Sequence, residues 1–279
     1  MNAVETDTIH NHTGQQTVRT TLGYECILVE YDGPITTVTM NCPACRNTLS
    51  LTMMEELVAA LKAIGSDPSV RVVILAANGP VYCSGHDLRE LADGDIRRFR
   101  RLFDVATELM LTIESIPQPV IAKVHRLATA AGCQLVAACD LVVPSEEATF
   151  SVPGMKIGLC CTTPMVPLTR AIGRKRALEM LLTAEVVSVQ TAADWGLVNR
   201  VVPDNQLDAA ARGLAVTICN ASPLTVALGK QTFYVQAALD DQKAYAYAKE
   251  LMTMNAMASD AHEGVNAFLE KRQPIWTRH

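Results

Sequence analysis

Aromatic side chains are scarce in this chain, 5% of its 279 residues, and neither sign of charge is in large excess: 24 Lys and Arg stand against 29 Asp and Glu, a formal net charge of −5. The shortage of aromatics disfavours an aromatic-rich β-sandwich. With the cations scattered, no basic stripe offers itself to a nucleic acid, so an anionic ligand must be held locally. No stretch is long and apolar enough to span a membrane. The first twenty residues, MNAVETDTIHNHTGQQTVRT, lack the positive start and apolar run of a secretory leader, and their polarity predicts a disordered arm over 1–21. His10 and His12 lie in that arm and His279 at the other end, where they carry little information. Cys42 and Cys45 form a CxxC, but no second CxxC or paired histidine motif completes a metal ligand set. The nine cysteines therefore read as reduced, mostly buried thiols of a cytoplasmic protein, with a redox or zinc role for Cys42 and Cys45 as the alternative.

What the chain does have is aliphatic bulk. Apolar residues make up 49% of it, mainly Ala, Leu, Val and Met, which suits helices packed on a sheet. Its length fits one core domain, 22–206, with terminal extensions. Strands over 26–30 and 35–40 on either side of Gly33 and Pro34 predict an opening hairpin. Ser50 is a candidate cap for a helix over 51–64, where Met54, Leu57, Leu61 and Ile64 recur at helical spacing. A β-branched run over 70–77 predicts a buried strand. A helix over 96–116 then runs to Pro117 and Pro119. After it, a strand over 120–124 leads through the small-residue stretch 127–132 to a helix over 133–138 and a strand over 140–144. Such alternation predicts an α/β fold with right-handed crossovers. From 207 to 279 the pattern is helical, and this tail is expected to pack on a neighbouring subunit or cap the core rather than cover the same sheet.

Five segments and the chain's ending share an order and spacing. They are Arg46-Asn47-Thr48-Leu49-Ser50, Ser84-Gly85-His86-Asp87-Leu88, Ala130-Ala131-Gly132-Cys133-Gln134-Leu135, Cys139-Asp140 and Thr191-Ala192-Ala193-Asp194-Trp195-Gly196-Leu197-Val198. The ending is Glu263-Gly264-Val265-Asn266-Ala267-Phe268-Leu269-Glu270-Lys271-Arg272. Together they resemble the crotonase family, the enoyl-CoA hydratase and isomerase superfamily, over nearly everything from residue 22 onward. The resemblance implies an α/β, crotonase-like ββα superhelix core with a C-terminal helical trimerisation region. It also implies an acyl-CoA thioester as ligand, coenzyme A being part of the substrate, with no separate cofactor and no metal. A homotrimer or homohexamer and a place in fatty-acid metabolism go with it, while no nucleic-acid or membrane partner is expected.

The residues suit that chemistry. A thioester carbonyl gains negative charge when its α-carbon becomes an enolate, and fixed N–H groups in a dry site stabilise the oxygen. Ala130, Ala131 and Gly132 stand where a helix would begin, so free amides and the positive end of its dipole converge there. The resemblance assigns the two donors to the backbone N–H of Ala131 and of His86. Ser84, Gly85, His86, Asp87, Leu88, Arg89, Ala131 and Gly132 are the implied substrate-binding positions. Taken alone, the small triplet also reads as plain close packing. The His86 ring is read as structural or specificity-setting, and Asp87 as a helix or turn cap. Arg89 reads either as a contact to the CoA phosphates or as a solvated cation. Lys271 and Arg272 read as an ordinary solvated face and His125 as structural.

Two departures matter. The family's hydratases use two glutamates, and the resemblance places Gln134 and Gly154 at those positions, neither of which exchanges a proton as a carboxylate does. Between Ser115 and Leu178 the only acids are Asp140, Glu146 and Glu147, read as structural and solvent-facing. Cys160, Cys161, Thr162 and Thr163 are candidates for the acyl pocket, with packing the plainer account. The expectation is an acyl-CoA binder carrying the enoyl-CoA hydratase label with weak or altered activity. A decarboxylase of malonyl-type thioesters and a non-catalytic acyl-CoA binder or regulator are the alternatives.

Overall fold

The computed structural model describes residues 23–92 and 94–277, and of the preceding arm only two backbone strands, β1 (Thr6–Thr8) and β2 (Arg19–Thr21). The rest of the predicted arm 1–21, with His10 and His12, lies outside the described residues, as does His279.

β3 (Ile27–Asp32) and β4 (Ile35–Met40) form the opening hairpin, antiparallel from Ile27 opposite Met40 to Asp32 opposite Ile35. Gly33, at φ +58, makes the turn because a residue without a Cβ enters the left-handed region freely. α1 (Leu51–Gly65) starts where Ser50 Oγ accepts from Met53 N–H at 3.2 Å. It buries Met54, Leu57, Leu61 and Ile64 and carries the chain to β5 (Val72–Ala77), parallel to β4. Next come α2 (Leu88–Ala92), α3 (Ile96–Ser115), β6 (Val120–Val124), β7 (Ala128–Thr129), α4 (Ala131–Ala138), β8 (Leu141–Pro144) and β9 (Thr149–Ser151). They are followed by α5 (Met165–Ile172), α6 (Arg174–Thr183), β10 (Val187–Ser188), α7 (Val189–Trp195), α8 (Leu207–Cys219), α9 (Pro223–Gln236), α10 (Asp241–Ala256) and α11 (Ser259–Leu269). The main sheet runs β1-β2-β3-β4-β5-β6-β8, antiparallel up to β4 and parallel beyond it, and a small sheet runs β10-β9-β7.

Strand alternation decides the layering. Val73 and Leu75 of β5 join the core formed with α1 and α3, while Val72 and Ile74 face the opposite way, onto Leu207, Ala211 and Leu214 of α8. A strand covered on both faces needs apolar residues at every position, which is why β5 reads VVILAA. The expectation that the helical tail would leave the sheet uncovered therefore fails for its first helix. Further out the tail has little of its own core: α10 buries no residue, and α11 buries only Asp260 and Ala267. Among the described residues no single helix is long and apolar enough to cross a membrane.

Two sequence expectations need correction in detail. α4 begins at Ala131, two residues earlier than predicted, because Ala130 takes a conformation that closes the turn ahead of it. Nor are all nine cysteines free thiols: the 3-10 turn Pro43–Cys45 brings the α-carbons of Cys42 and Cys45 within 5.4 Å, and the two are joined in a disulfide. Cys83, Cys133 and Cys139 are buried free thiols, whereas Cys160 is exposed. No cluster of three His, Cys, Asp or Glu suited to a metal occurs among the described residues.

Candidate active site

Two glycines let the segment after β5 press against the start of α4. A Cβ on Gly85, which has φ +86, would stand 2.7 Å from Ala130 Cβ, 3.1 Å from Thr129 O and 3.2 Å from Ala131 N. A Cβ on Gly132 would stand 2.5 Å from the Cys83 carbonyl oxygen. Between these contacts Ala130 is held at φ +53, ψ −123, a strained conformation for a residue with a Cβ, costing about 1–3 kcal/mol. Its N–H donates to Ser151 O at 2.9 Å, and its carbonyl accepts from Cys133 N–H and Gln134 N–H, each at 3.1 Å.

The backbone donors around this contact are nearly all taken. Thr129 N–H donates to Cys83 O at 2.9 Å, Ser84 N–H to Arg46 O at 3.2 Å and Leu49 N–H to Gly85 O at 2.7 Å. The N–H of Ala131 and that of His86 donate to no acceptor among the described residues. For Ala131 the reason is position, since the first turn of a helix has no carbonyl four residues back.

A cavity of about 530 Å³ opens at this place. Ser84, His86, Leu88, Ala131 and Gly154 line it, as do Cys160, Cys161, Thr162 and Thr163, for which packing alone had been the plainer account. Gly85 and Gly132 lie behind its wall as spacers. Gln134 is buried, its Oε1 accepting from Thr163 Oγ1 at 3.2 Å. At Gly154 a Cβ would meet Leu159 O at 2.1 Å and Cys161 Sγ at 2.4 Å, so the chain's own turn fills the space a longer side chain needs.

Other singled-out residues have structural work elsewhere. Asp87 Oδ1 accepts from Arg89 N–H at 3.0 Å, as a cap does, and the Arg89 guanidinium closes on the same carboxylate at 2.7 Å. That contact holds the Asp87 carboxyl below its usual range and gives Arg89 a partner within its own loop. The His86 ring places Nδ1 3.3 Å from Leu49 O and stands edge-on to Phe103, with Nε2 buried and unpartnered. Burial lowers its pKa, which keeps the ring neutral at pH 7. His125 Nε2 lies 2.8 Å from Gly79 O, fixing a turn. Asp140 accepts from Val120 N–H, Lys230 and Tyr234, and Glu147 pairs with Arg126 at 2.9 Å. Arg272 pairs with Glu263 and Glu270. Among the described residues no Asp or Glu lines the cavity.

Leu91, Phe103, Pro153, Lys156, Ile157, Leu159 and Pro164 also line it and were missed from the sequence. Periodicity marks the apolar face of α3 without saying that it borders a space, and only Pro153 and Gly154 hint at the turn that carries Lys156.

The family model described as enoyl-CoA hydratase/isomerase matches residues 30–279. The chain belongs to this family. Solved structures of family members share its crotonase fold. An enoyl-CoA hydratase from Mycobacterium smegmatis superposes with a TM-score of 0.88 at 46% identity, covering 90% of this chain and 99% of that one. Human enoyl-CoA hydratase domain-containing protein 3 gives 0.88 at 41%, covering 90% and 100%. The mouse form of that protein is 44% identical over 249 residues, 89% of this chain and 83% of its own. Both the mouse and human proteins are named as mitochondrial, which overturns the cytoplasmic location expected from sequence. Buried free thiols such as Cys83, Cys133 and Cys139 do not separate the cytoplasm from the interior of an organelle. For a member of the enoyl-CoA hydratase/isomerase family, a cavity with no carboxylate among its described lining residues is the feature that most constrains chemistry.

Proposed function

We propose that this enoyl-CoA hydratase/isomerase family member binds an acyl-CoA thioester with its carbonyl oxygen between the N–H groups of His86 and Ala131. The observation that carries this reading is the pair of unpartnered amides on two segments that Gly85 and Gly132 press together at the edge of a cavity. Coenzyme A is then part of the substrate. Each such donor is worth about two to three powers of ten in rate when charge develops on the oxygen, whereas a positioned acid or base supplies about two to four. With Gln134 and Gly154 in place of carboxylates, polarisation survives and proton transfer is lost, so classical hydration is weak.

A second reading has one observation in its favour. Loss of carbon dioxide from a malonyl-type thioester makes the enolate without a protein base, which suits a cavity that no acid lines among the described residues. We further propose assembly as a homotrimer or homohexamer through the outer helices. The test of the main reading is addition of the purified protein to crotonyl-CoA while the enoyl absorbance is followed. Saturable binding with turnover at least about two powers of ten below that of an ordinary hydratase is expected; ordinary turnover refutes the reading.

A further inference from the structure

We propose that the cavity selects acyl thioesters whose far end carries a carboxylate, and that Lys156 is the residue that recognises it; this rests on the acyl-CoA reading above. Among the described residues Lys156 is the only Lys or Arg lining the cavity, and no Asp or Glu lines it. Much of the remaining wall is apolar, with Leu88, Leu91, Phe103 and Leu159 among its residues. Two acids next to the lining residues Leu88 and Leu91 are already engaged: Asp87 holds Arg89, and the Glu90 carboxylate caps α1 by accepting from Leu51 N–H at 3.1 Å. Lys156 has no hydrogen-bond or ion-pair partner among the described residues. His86, the other nitrogen base in the wall, is kept neutral by burial.

Position makes the preference specific. Lys156 sits on the turn Pro153–Ile157, which is fixed by Leu159 N–H donating to Gly154 O at 3.0 Å and Gly158 N–H donating to Met155 O at 3.3 Å. Lys156, Ile157, Leu159 and Cys160 are exposed, so this turn forms the rim, whereas Ala131 is buried. A ligand whose carbonyl lies against the buried Ala131 and whose acyl chain follows the cavity to this exposed turn brings the end remote from the sulfur to Lys156. A methyl-terminated chain leaves Lys156 in water and gains nothing from it. A carboxylate-terminated chain gains a charge-assisted contact partly sheltered by the apolar wall.

Calorimetric titration with adipyl-CoA and hexanoyl-CoA tests this, because the two share coenzyme A and chain length and differ in the terminal group. Adipyl-CoA is expected to bind about fivefold more tightly, with the advantage shrinking as salt is raised. Lys156→Met removes the advantage and Lys156→Glu inverts it, while hexanoyl-CoA affinity stays unchanged and reports that the fold is intact. Equal loss on both ligands assigns Lys156 to the CoA phosphates and overturns the proposal. Tight hexanoyl-CoA binding with no adipyl advantage overturns it while leaving the acyl-CoA reading standing. Failure of both to bind overturns both.

Discussion

At Gly154 the chain's own turn takes the volume in which a hydratase carboxylate is implied, with Leu159 O and Cys161 Sγ 2.1 and 2.4 Å from where a Cβ would stand. Restoring the family residue is thus a packing problem before it is a chemical one. Gly154→Glu is expected to lower stability by about 1–3 kcal/mol through overpacking and to leave crotonyl-CoA hydration no higher. Urea unfolding and the absorbance assay check both, and a stable variant with new turnover contradicts the account. Single residues differ in how far sequence exposed them. Gly85 and Gly132 were singled out as substrate-binding positions through the family resemblance, and what the structure gives them is close backbone approach. Lys156 did not, since nothing local distinguishes a rim lysine from a solvated one. The approach of the Gly85 segment to Ala131 is long-range in sequence, and only the family resemblance paired His86 with Ala131.

Elements were more legible than their connections. α1, α3 and β6 lie within two residues of their expected ends because periodicity, a serine cap and flanking prolines act locally. The tail was misread because its apolar spacing did not say which surface it meets. α8 returns to the sheet, and α9 is tied to the core by Lys230, whose Nζ reaches Ile113 O at 2.7 Å, Gln118 O at 2.9 Å and Asp140 Oδ2 at 2.7 Å. Burial works against both charges, raising the Asp140 pKa and lowering that of Lys230, and their mutual attraction opposes it. Lys230→Met leaves a buried carboxylate without its cation, a change that costs about 3–5 kcal/mol. Denaturant unfolding should show that loss, with part of it recovered when Asp140→Asn is added. A Lys230→Met protein as stable as the parent contradicts this account of how α9 is anchored.

The whole molecule leaves a large apolar surface uncovered on its outer helices. On or next to α10 and α11, Tyr245, Met252, Met257 and Phe268 are each at least 74% exposed. The proposed homotrimer or homohexamer would bury it, so sedimentation should give a mass of three or six chains, and Phe268→Asp should shift it toward one. A parent protein that sediments as a single chain contradicts the proposal. The central claim concerns the thioester carbonyl, and infrared difference spectroscopy of butyryl-CoA carrying ¹³C at that carbonyl tests it most directly. Two amide donors should move the bound C=O band to lower wavenumber, and Gly85→Ala, which crowds the contact beside Ala131, should cancel the shift. A band that stays at its solution position with the protein saturated contradicts the account.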